Sequence, residues 1–352
     1  MRVTQRVAYY LVLMTGLVSC TEPISLDLDS GEPQLVVEAE MSNLLESYVV
    51  SLAATTDFDG ISDRSIAREA DVSIIEERSG ESLELFEVFP GEYYSFGGDF
   101  QGEVGEQYRL RIVLRDGRTY ESQLVQIPEP VDIVNINSEL REERFLSEDL
   151  VEQRVFFQDI TARLDNTMQD HFAIFDNRGF VESFIDYPTC GGFDRNNQGS
   201  PAGPVRCWAF QDPIIQDISL TSNLSVSGDN YEAVAMSIPF DARGQYVLEV
   251  DVKAMDAQSF NFWQQAKDQL DKGDGIFDAP FAPIVGNIRN VDDPDETVLG
   301  YFNAYAKSTA QICFEWPAIG TRPTPIVSCS TLCTDFYAPA VFELPLADEL
   351  CP

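Results

Sequence analysis

The sequence predicts a mainly β protein. An immunoglobulin- or fibronectin-like β-sandwich is expected over residues 35–128, then a second β-rich domain over 131–352 with one amphipathic helix near 256–272 and a disulfide-stapled tail. Three observations predict this. Short runs of β-branched and aromatic residues recur with turn signals between them. The 19 prolines and 22 glycines are spread along the chain, as many short strands joined by turns require. At 352 residues and 44% hydrophobic content, the chain can bury two cores of ordinary size.

Residues 1–19 read as an export leader. Arg2 and Arg6 supply its positive start, and Val7 to Val18 an apolar run too short to span a membrane as a helix. The leader ends Leu17-Val18-Ser19-Cys20, which resembles the lipobox of bacterial lipoproteins. The chemistry needs Cys20 because its thiol takes the diacylglycerol, and small Ser19 admits the peptidase. Each buried methylene adds about 0.8 kcal/mol, so two or three acyl chains on Cys20 would hold the protein to a membrane. Residues 20–34 then form a polar tether containing Asp27, Asp29 and Glu32, whose early acids resemble surface-export signals of Bacteroidota lipoproteins.

The expected strands of the first region include Leu35–Ala39, Tyr48–Leu52, Asp71–Ile75 and Ser82–Leu85. A hairpin follows: Tyr108 to Arg115, Asp116-Gly117, then Arg118-Thr119-Tyr120, with Asp-Gly suiting a type I′ turn. Tyr108, Leu110, Ile112 and Leu114 alternate onto one face. Arg109, Arg111 and Arg115 form a basic stripe on the other, expected to pair with carboxylates across the strands. Ile127-Pro128-Glu129-Pro130 reads as a linker. Beyond it, strands are expected at Val155–Ala162, His171–Phe175, Ile218–Val226, Ala233–Ile238 and Tyr246–Val252. In the last of these Tyr246, Leu248, Val250 and Val252 share a face against Glu249 and Asp251. Asp256 can cap the one helix, Phe260, Trp263 and Leu270 fall at helical spacing as a packing stripe, and Gly273 ends it.

Charge excludes some function classes. Asp plus Glu number 59 against 23 Lys plus Arg, a net −36 that repels nucleic acid and anionic headgroups. Loss of the leader removes two arginines and no acid. Such a surface is strongly solvated and suits a salty medium that screens its self-repulsion; the alternative reading is a cation-binding or cationic-ligand role.

Six cysteines follow Cys20: Cys190, Cys207, Cys313, Cys329, Cys333 and Cys351. An even number in an exported chain favours disulfides. Cys190 and Cys207 bracket a Gly-, Asn- and Pro-rich loop whose closure would contribute roughly 3 kcal/mol. The last four would staple the tail. Cys329 and Cys333 have a plausible zinc spacing, but there is no second close pair.

No catalytic constellation is visible. His171 is the only histidine and stands at a strand end, which excludes His-Glu-x-x-His and three-histidine metal sites. No serine lies in Gly-x-Ser-x-Gly, and there is no phosphate-binding or dinucleotide fingerprint. Carboxylate pairs are too abundant for any one to stand out. Two acidic loops are weak calcium candidates: Asp292, Asp293, Asp295 and Glu296 in one, Asp271, Asp274 and Asp278 in the other. Neither matches EF-hand spacing, and no cofactor is implied.

Taken in order, these motifs resemble a Bacteroidota lipoprotein family, domain of unknown function 4249. The resemblance rests on Cys20 with Glu22-Pro23, on Leu35-Val36-Val37-Glu38, and on Gly105 to Leu110 with Asp116-Gly117-Arg118-Thr119-Tyr120. It continues through Phe262-Trp263, Pro283-Ile284-Val285-Gly286-Asn287-Ile288, Val298-Leu299-Gly300-Tyr301-Phe302 and the late cysteines. Asn303-Ala304-Tyr305 departs from the small-residue run expected there. The resemblance implies a lipid-anchored outer-membrane protein facing the cell exterior, with the periplasmic face as the alternative, and an accessory role in TonB-dependent nutrient uptake; the missing catalytic constellation makes that role a non-enzymatic one. It carries no catalytic or ligand residues, and the ligand stays unnamed. Two other readings remain open from the residues alone: a carboxylate-based surface hydrolase of polysaccharide, and a calcium-stabilised adhesion module.

Overall fold

The computed structural model describes residues 33–55, 68–96, 100–146, 152–167, 170–185, 205–214, 217–240, 245–271, 284–316 and 333–334. Among them the chain is mainly β, with two sheets and one helix. The strands of the first region are β1 (Leu35–Ser42), β2 (Val49–Ala54), β3 (Asp71–Glu76), β4 (Ser82–Phe89), β5 (Glu92–Tyr94), β6 (Gln107–Val113), β7 (Thr119–Ser122) and β8 (Val125–Gln126). Those of the second are β9 (Ile133–Leu146), β10 (Glu152–Asp165), β11 (Phe172–Ile185), β12 (Val205–Gln211), β13 (Ser219–Ser222), β14 (Asn230–Pro239) and β15 (Gln245–Met255). Helix α1 (Ala257–Asp271) follows, then β16 (Ile288–Asn290), β17 (Leu299–Glu315) and β18 (Cys333–Thr334).

Period-2 alternation builds the first region as expected. In β6 Tyr108, Leu110 and Ile112 are buried, and they share a core with Val37, Ala39 and Met41 of β1, Val50 of β2 and Tyr120 of β7. Strand β4 pairs β3 through Ser82–Leu85 and β5 through Phe86–Phe89, with a register irregularity near its end. A strand shared in this way lets a sheet turn a corner and face itself, which is the sandwich-like arrangement.

The hairpin joining β6 and β7 forms, but its turn differs from type I′. Gly117 N donates to Leu114 O at 2.9 Å and Leu114 N to Arg118 O at 2.9 Å, so the loop is longer than two residues. Gly117 has φ +93°, whereas Asp116 is not in the left-handed region. That is a three-residue turn with a single left-handed glycine. Asp116 closes it from the side, accepting hydrogen bonds from Arg118 N at 3.0 Å and Arg118 Nε at 2.8 Å. The basic stripe pairs across strands: Arg109 with Glu77 at 2.9 Å and Glu121 at 3.2 Å, Arg115 with Glu69 at 2.8 Å.

The large sheet runs in the order β16-β7-β6-β3-β4-β5-β2-β1-β17-β15-β11-β12-β18, with β13 on β11 and β8 on β6. Strands of the second region therefore flank the first on both sides: β16 pairs β7 antiparallel, and β17 pairs β1 in parallel. The Pro128–Pro130 junction divides the chain but not the sheet. A second sheet, β14-β10-β9, covers one face of the large one. Tyr246, Leu248, Val250 and Val252 of β15 meet Ile160, Ala162 and Leu164 of β10 and Met236 and Ile238 of β14 there.

Strand β17 is a splice. Its first half, Leu299–Tyr305, pairs β1, and its second half, Ala306–Glu315, pairs β15. At Phe302 the edge away from β1 is filled by a side chain. Asn287 Nδ2 donates to Phe302 O at 2.8 Å, and Phe302 N donates to Asn287 Oδ1 at 2.9 Å. Backbones crowd here: a Cβ on Gly300, at φ +92°, would lie 1.9 Å from Val37 O, and one on Gly286 would lie 1.9 Å from Gly300 O. The Gly286-Asn287 and Gly300 motifs are thus matched parts of one strand junction.

Two further expectations are corrected. The strand within Ile218–Val226 is limited to Ser219–Ser222, because Val226 N turns back to Asn223 O at 2.9 Å. In α1, Asp256 caps as expected, its Oδ1 accepting from Ser259 N at 2.7 Å. Leu270, however, is 71% exposed, so the packing face is formed by Ser259, Phe260 and Phe262 instead. Gly273 lies outside the described residues.

Candidate functional site

The second face of β15 is polar, yet it is buried. Glu249 and Asp251 alternate with the apolar set and continue to Lys253. In register beside them stand Asp176 and Arg178 of β11 and Lys307, Thr309 and Gln311 of β17. Buried charges must be paired, and these are. Lys307 Nζ lies 2.7 Å from Asp251 Oδ2, with the two side chains 7% and 5% exposed. Thr309 Oγ1 donates to the other oxygen of Asp251 at 2.6 Å. Arg178 Nε donates to Glu249 Oε1 at 2.6 Å, and Gln311 Nε2 to Glu249 Oε2 at 3.1 Å. Lys253 Nζ lies 2.9 Å from both Glu40 Oε2 and Asp176 Oδ2, and 4.7 Å from the centre of the Tyr305 ring.

These charges lie along one side of a cleft of about 550 Å³, a volume suited to a small molecule. Its floor is the polar face of β2, β1, β17, β15 and β11. Phe262, Trp263 and Ala266 of α1 form a wall. Phe262 leans on Tyr301 at 4.6 Å between ring centres, and Ser259 Oγ donates to Tyr301 OH at 3.4 Å, which fixes the helix over the splice in β17.

Asn303 stands on the floor, on the same face of β17 as Tyr301, Tyr305 and Lys307. It is 2% exposed, and among the described residues neither its Oδ1 nor its Nδ2 has a hydrogen-bond partner. Trp263 Nε1 is likewise buried without an acceptor. An unpaired buried polar group costs about 1–3 kcal/mol, so three such atoms beside one cleft are a site feature rather than good packing.

The electrostatics follow from burial and pairing. Desolvation alone would raise the Asp176 carboxyl, but Lys253 outweighs it and holds the group below the usual carboxylate range. Burial pulls the Lys253 ammonium down, yet Glu40, Tyr305 and Asp176 carry it well above the ordinary lysine value. Burial pushes the Tyr305 phenol up. Asp212, beside the cis Asp212–Pro213 bond, is raised by burial and by Asp176.

The residues singled out from sequence lie elsewhere or apart. Cys20, Cys190, Cys329 and Cys351 lie outside the described residues, as do Asp274 and Asp278. The backbone places Cys207 of β12 opposite Ser183 of β11, Cys313 of β17 opposite Val247 of β15, and Cys333 of β18 opposite Ala209 of β12. In the acidic loop, Glu296 turns inward. It accepts hydrogen bonds from Tyr120 OH at 2.8 Å, Arg118 Nη1 at 3.4 Å and Asn290 Nδ2. Asp292, Asp293 and Asp295 are exposed, and Asn290 Oδ1 receives the backbone N–H of Asp292 and Asp293. Among the described residues no three His, Cys, Asp or Glu side chains gather as metal ligands. His171 is buried, stacked on Tyr231 at 5.6 Å with Nε2 2.9 Å from its hydroxyl. Among the described residues no helix is long and apolar enough to cross a membrane.

Asn303, Trp263 and the paired charges were missed as a site. One signal pointed there. Polar side chains alternating as Glu249, Asp251, Lys253 recur in Asp176, Arg178 and in Lys307, Thr309, Gln311, but only strand register shows that the three sets are complementary. A family model described as Domain of unknown function (DUF4249) matches residues 21–311. No curated protein and no solved structure matches the chain.

Proposed function

This chain belongs to the domain-of-unknown-function family DUF4249, and from that footing we propose that it is a non-enzymatic binding protein whose ligand seats in the cleft between α1 and the splice in β17. The observation that carries this reading is Asn303, a buried amide on the floor of that cleft with no partner for either polar atom among the described residues. Folding would select an apolar residue there if packing were its only task. Lipid attachment at Cys20, exposure on an outer membrane and partnership with a TonB-dependent transporter are parts of the same proposal. They are supported by the leader-like composition of residues 1–19 and by motifs that resemble those of Bacteroidota lipoproteins. Disulfide pairing of the six later cysteines is also proposed, since an exported chain meets oxidants.

The test uses full-length protein taken from its own membranes. Native mass spectrometry of wild type and Asn303→Leu should show a co-purifying small molecule in the first and its loss in the second. A transporter should be captured from detergent-solubilised outer membrane by both. Identical masses, with no bound molecule and no transporter in either preparation, would overturn the reading.

A further inference from the structure

We propose that the cleft takes a small organic cation, an amine whose ammonium lies among the acids at its mouth while a neutral hydrogen-bonding group on the same molecule meets Asn303 at the floor. This rests on the binding reading above and adds the ligand's charge.

Among the described residues the cleft is lined by six carboxylates and three basic side chains. Each base is already engaged: Lys253 by Glu40 and Asp176, Lys307 by Asp251, Arg178 by Glu249. No unmatched positive centre is left for an anion. Negative charge is left over. Among the described residues Glu38 and Asp212 make no ion pair, and Glu46 accepts a hydrogen bond from the Ser42 hydroxyl but makes no ion pair. A low-dielectric wall concentrates such a field, and the rings of Phe262 and Trp263 supply faces that attract a cation further. Deeper in, the chemistry changes to neutral groups, the Asn303 amide on the floor and the Trp263 indole N–H in the wall, both buried. A ligand carrying charge at one end and an amide or hydroxyl at the other matches both ends. A bare metal ion would not, since no ligand cluster is present among the described residues.

Three probes sharing one ring test the charge: tryptamine, the neutral tryptophol and the anionic indole-3-propionate. Each is titrated calorimetrically into the full chain. Tryptamine is expected to bind at least tenfold more tightly than tryptophol, to weaken as salt is added, and to outcompete indole-3-propionate entirely. The double variant Glu38→Gln/Asp212→Asn alters two exposed side chains and should narrow the tryptamine–tryptophol gap to less than threefold. Trp263→Phe, which removes only the N–H and part of the ring, serves as a second variant should the first fail to fold, and should weaken tryptamine severalfold. Equal binding of tryptamine and tryptophol, tighter binding of the anion, or no saturable binding by any probe would overturn the proposal. Equal binding that Asn303→Leu abolishes would overturn the cation while leaving the binding reading intact.

Discussion

Lys307 and Asp251 show what one residue can decide in this protein. Their 2.7 Å pair is nearly dry, and a second hydrogen bond from Thr309 leaves little of the carboxylate unsatisfied. Removing one partner strands the other charge. Lys307→Met is therefore expected to cost about 3–5 kcal/mol in urea denaturation. Lys307→Met/Asp251→Leu should cost clearly less than the two single variants added together, because no lone charge then remains. Lys253 and Asp176 set the pH response. Folding lowers the Asp176 carboxyl, so its stabilisation is complete above the unfolded value of about 3.9 and fades as pH falls through the lower folded value. Folding raises the Lys253 ammonium, so its stabilisation is complete below about 10.4 and is lost as pH climbs through the higher folded value. Melting temperature should plateau between these limits, and Lys253→Met should flatten the alkaline limb. An alkaline limb unaltered in that variant would contradict the assignment.

Among the elements, β17 has the most constrained backbone. Gly300 combines a left-handed φ with a backbone oxygen where its Cβ would stand. Gly300→Ala should therefore unpair β1 from β17 locally, with hydrogen exchange quickening across Val36–Ser42 and stability falling by about 2 kcal/mol or more. Asn287→Ala at the same junction would leave the N–H and C=O of Phe302 without partners, at a cost of about 2 kcal/mol. The Gly286-Asn287 and Gly300-Tyr301 motifs were legible as motifs from sequence. Their purpose was not, because each glycine is explained by an atom of a distant strand. Helix α1 divides in the same way. Its cap at Asp256 is local and was readable, whereas the stripe containing Leu270 misjudged the buried face by including a residue near the free end.

At the scale of the whole molecule, the first region cannot complete its sheet alone. Strand β1 needs β17 on one side, and β7 needs β16. A fragment of residues 33–130 should lack a cooperative unfolding transition. Adding a peptide of residues 284–316 should restore one, as read by near-ultraviolet circular dichroism. A fragment that melts cooperatively alone would show that the shared sheet is dispensable. The same long-range pairing makes the cleft: Lys253 and Glu40 meet across 213 positions of chain.

Local chemistry in the sequence by itself determined the β class, the alternation that puts Tyr246, Leu248, Val250 and Val252 in a core, the Asp256 cap and the hairpin at Asp116-Gly117. Each depends on residues within a few positions of one another, where backbone geometry and side-chain spacing suffice. Tertiary structure alone decided that the opposite face of β15 is buried too, that its charges are complementary to those of β11 and β17, and that Asn303 finds no partner among the described residues. Whether a polar face meets water or another layer depends on which distant strands pair and where a sheet splits, and that is set by the packing of the whole chain.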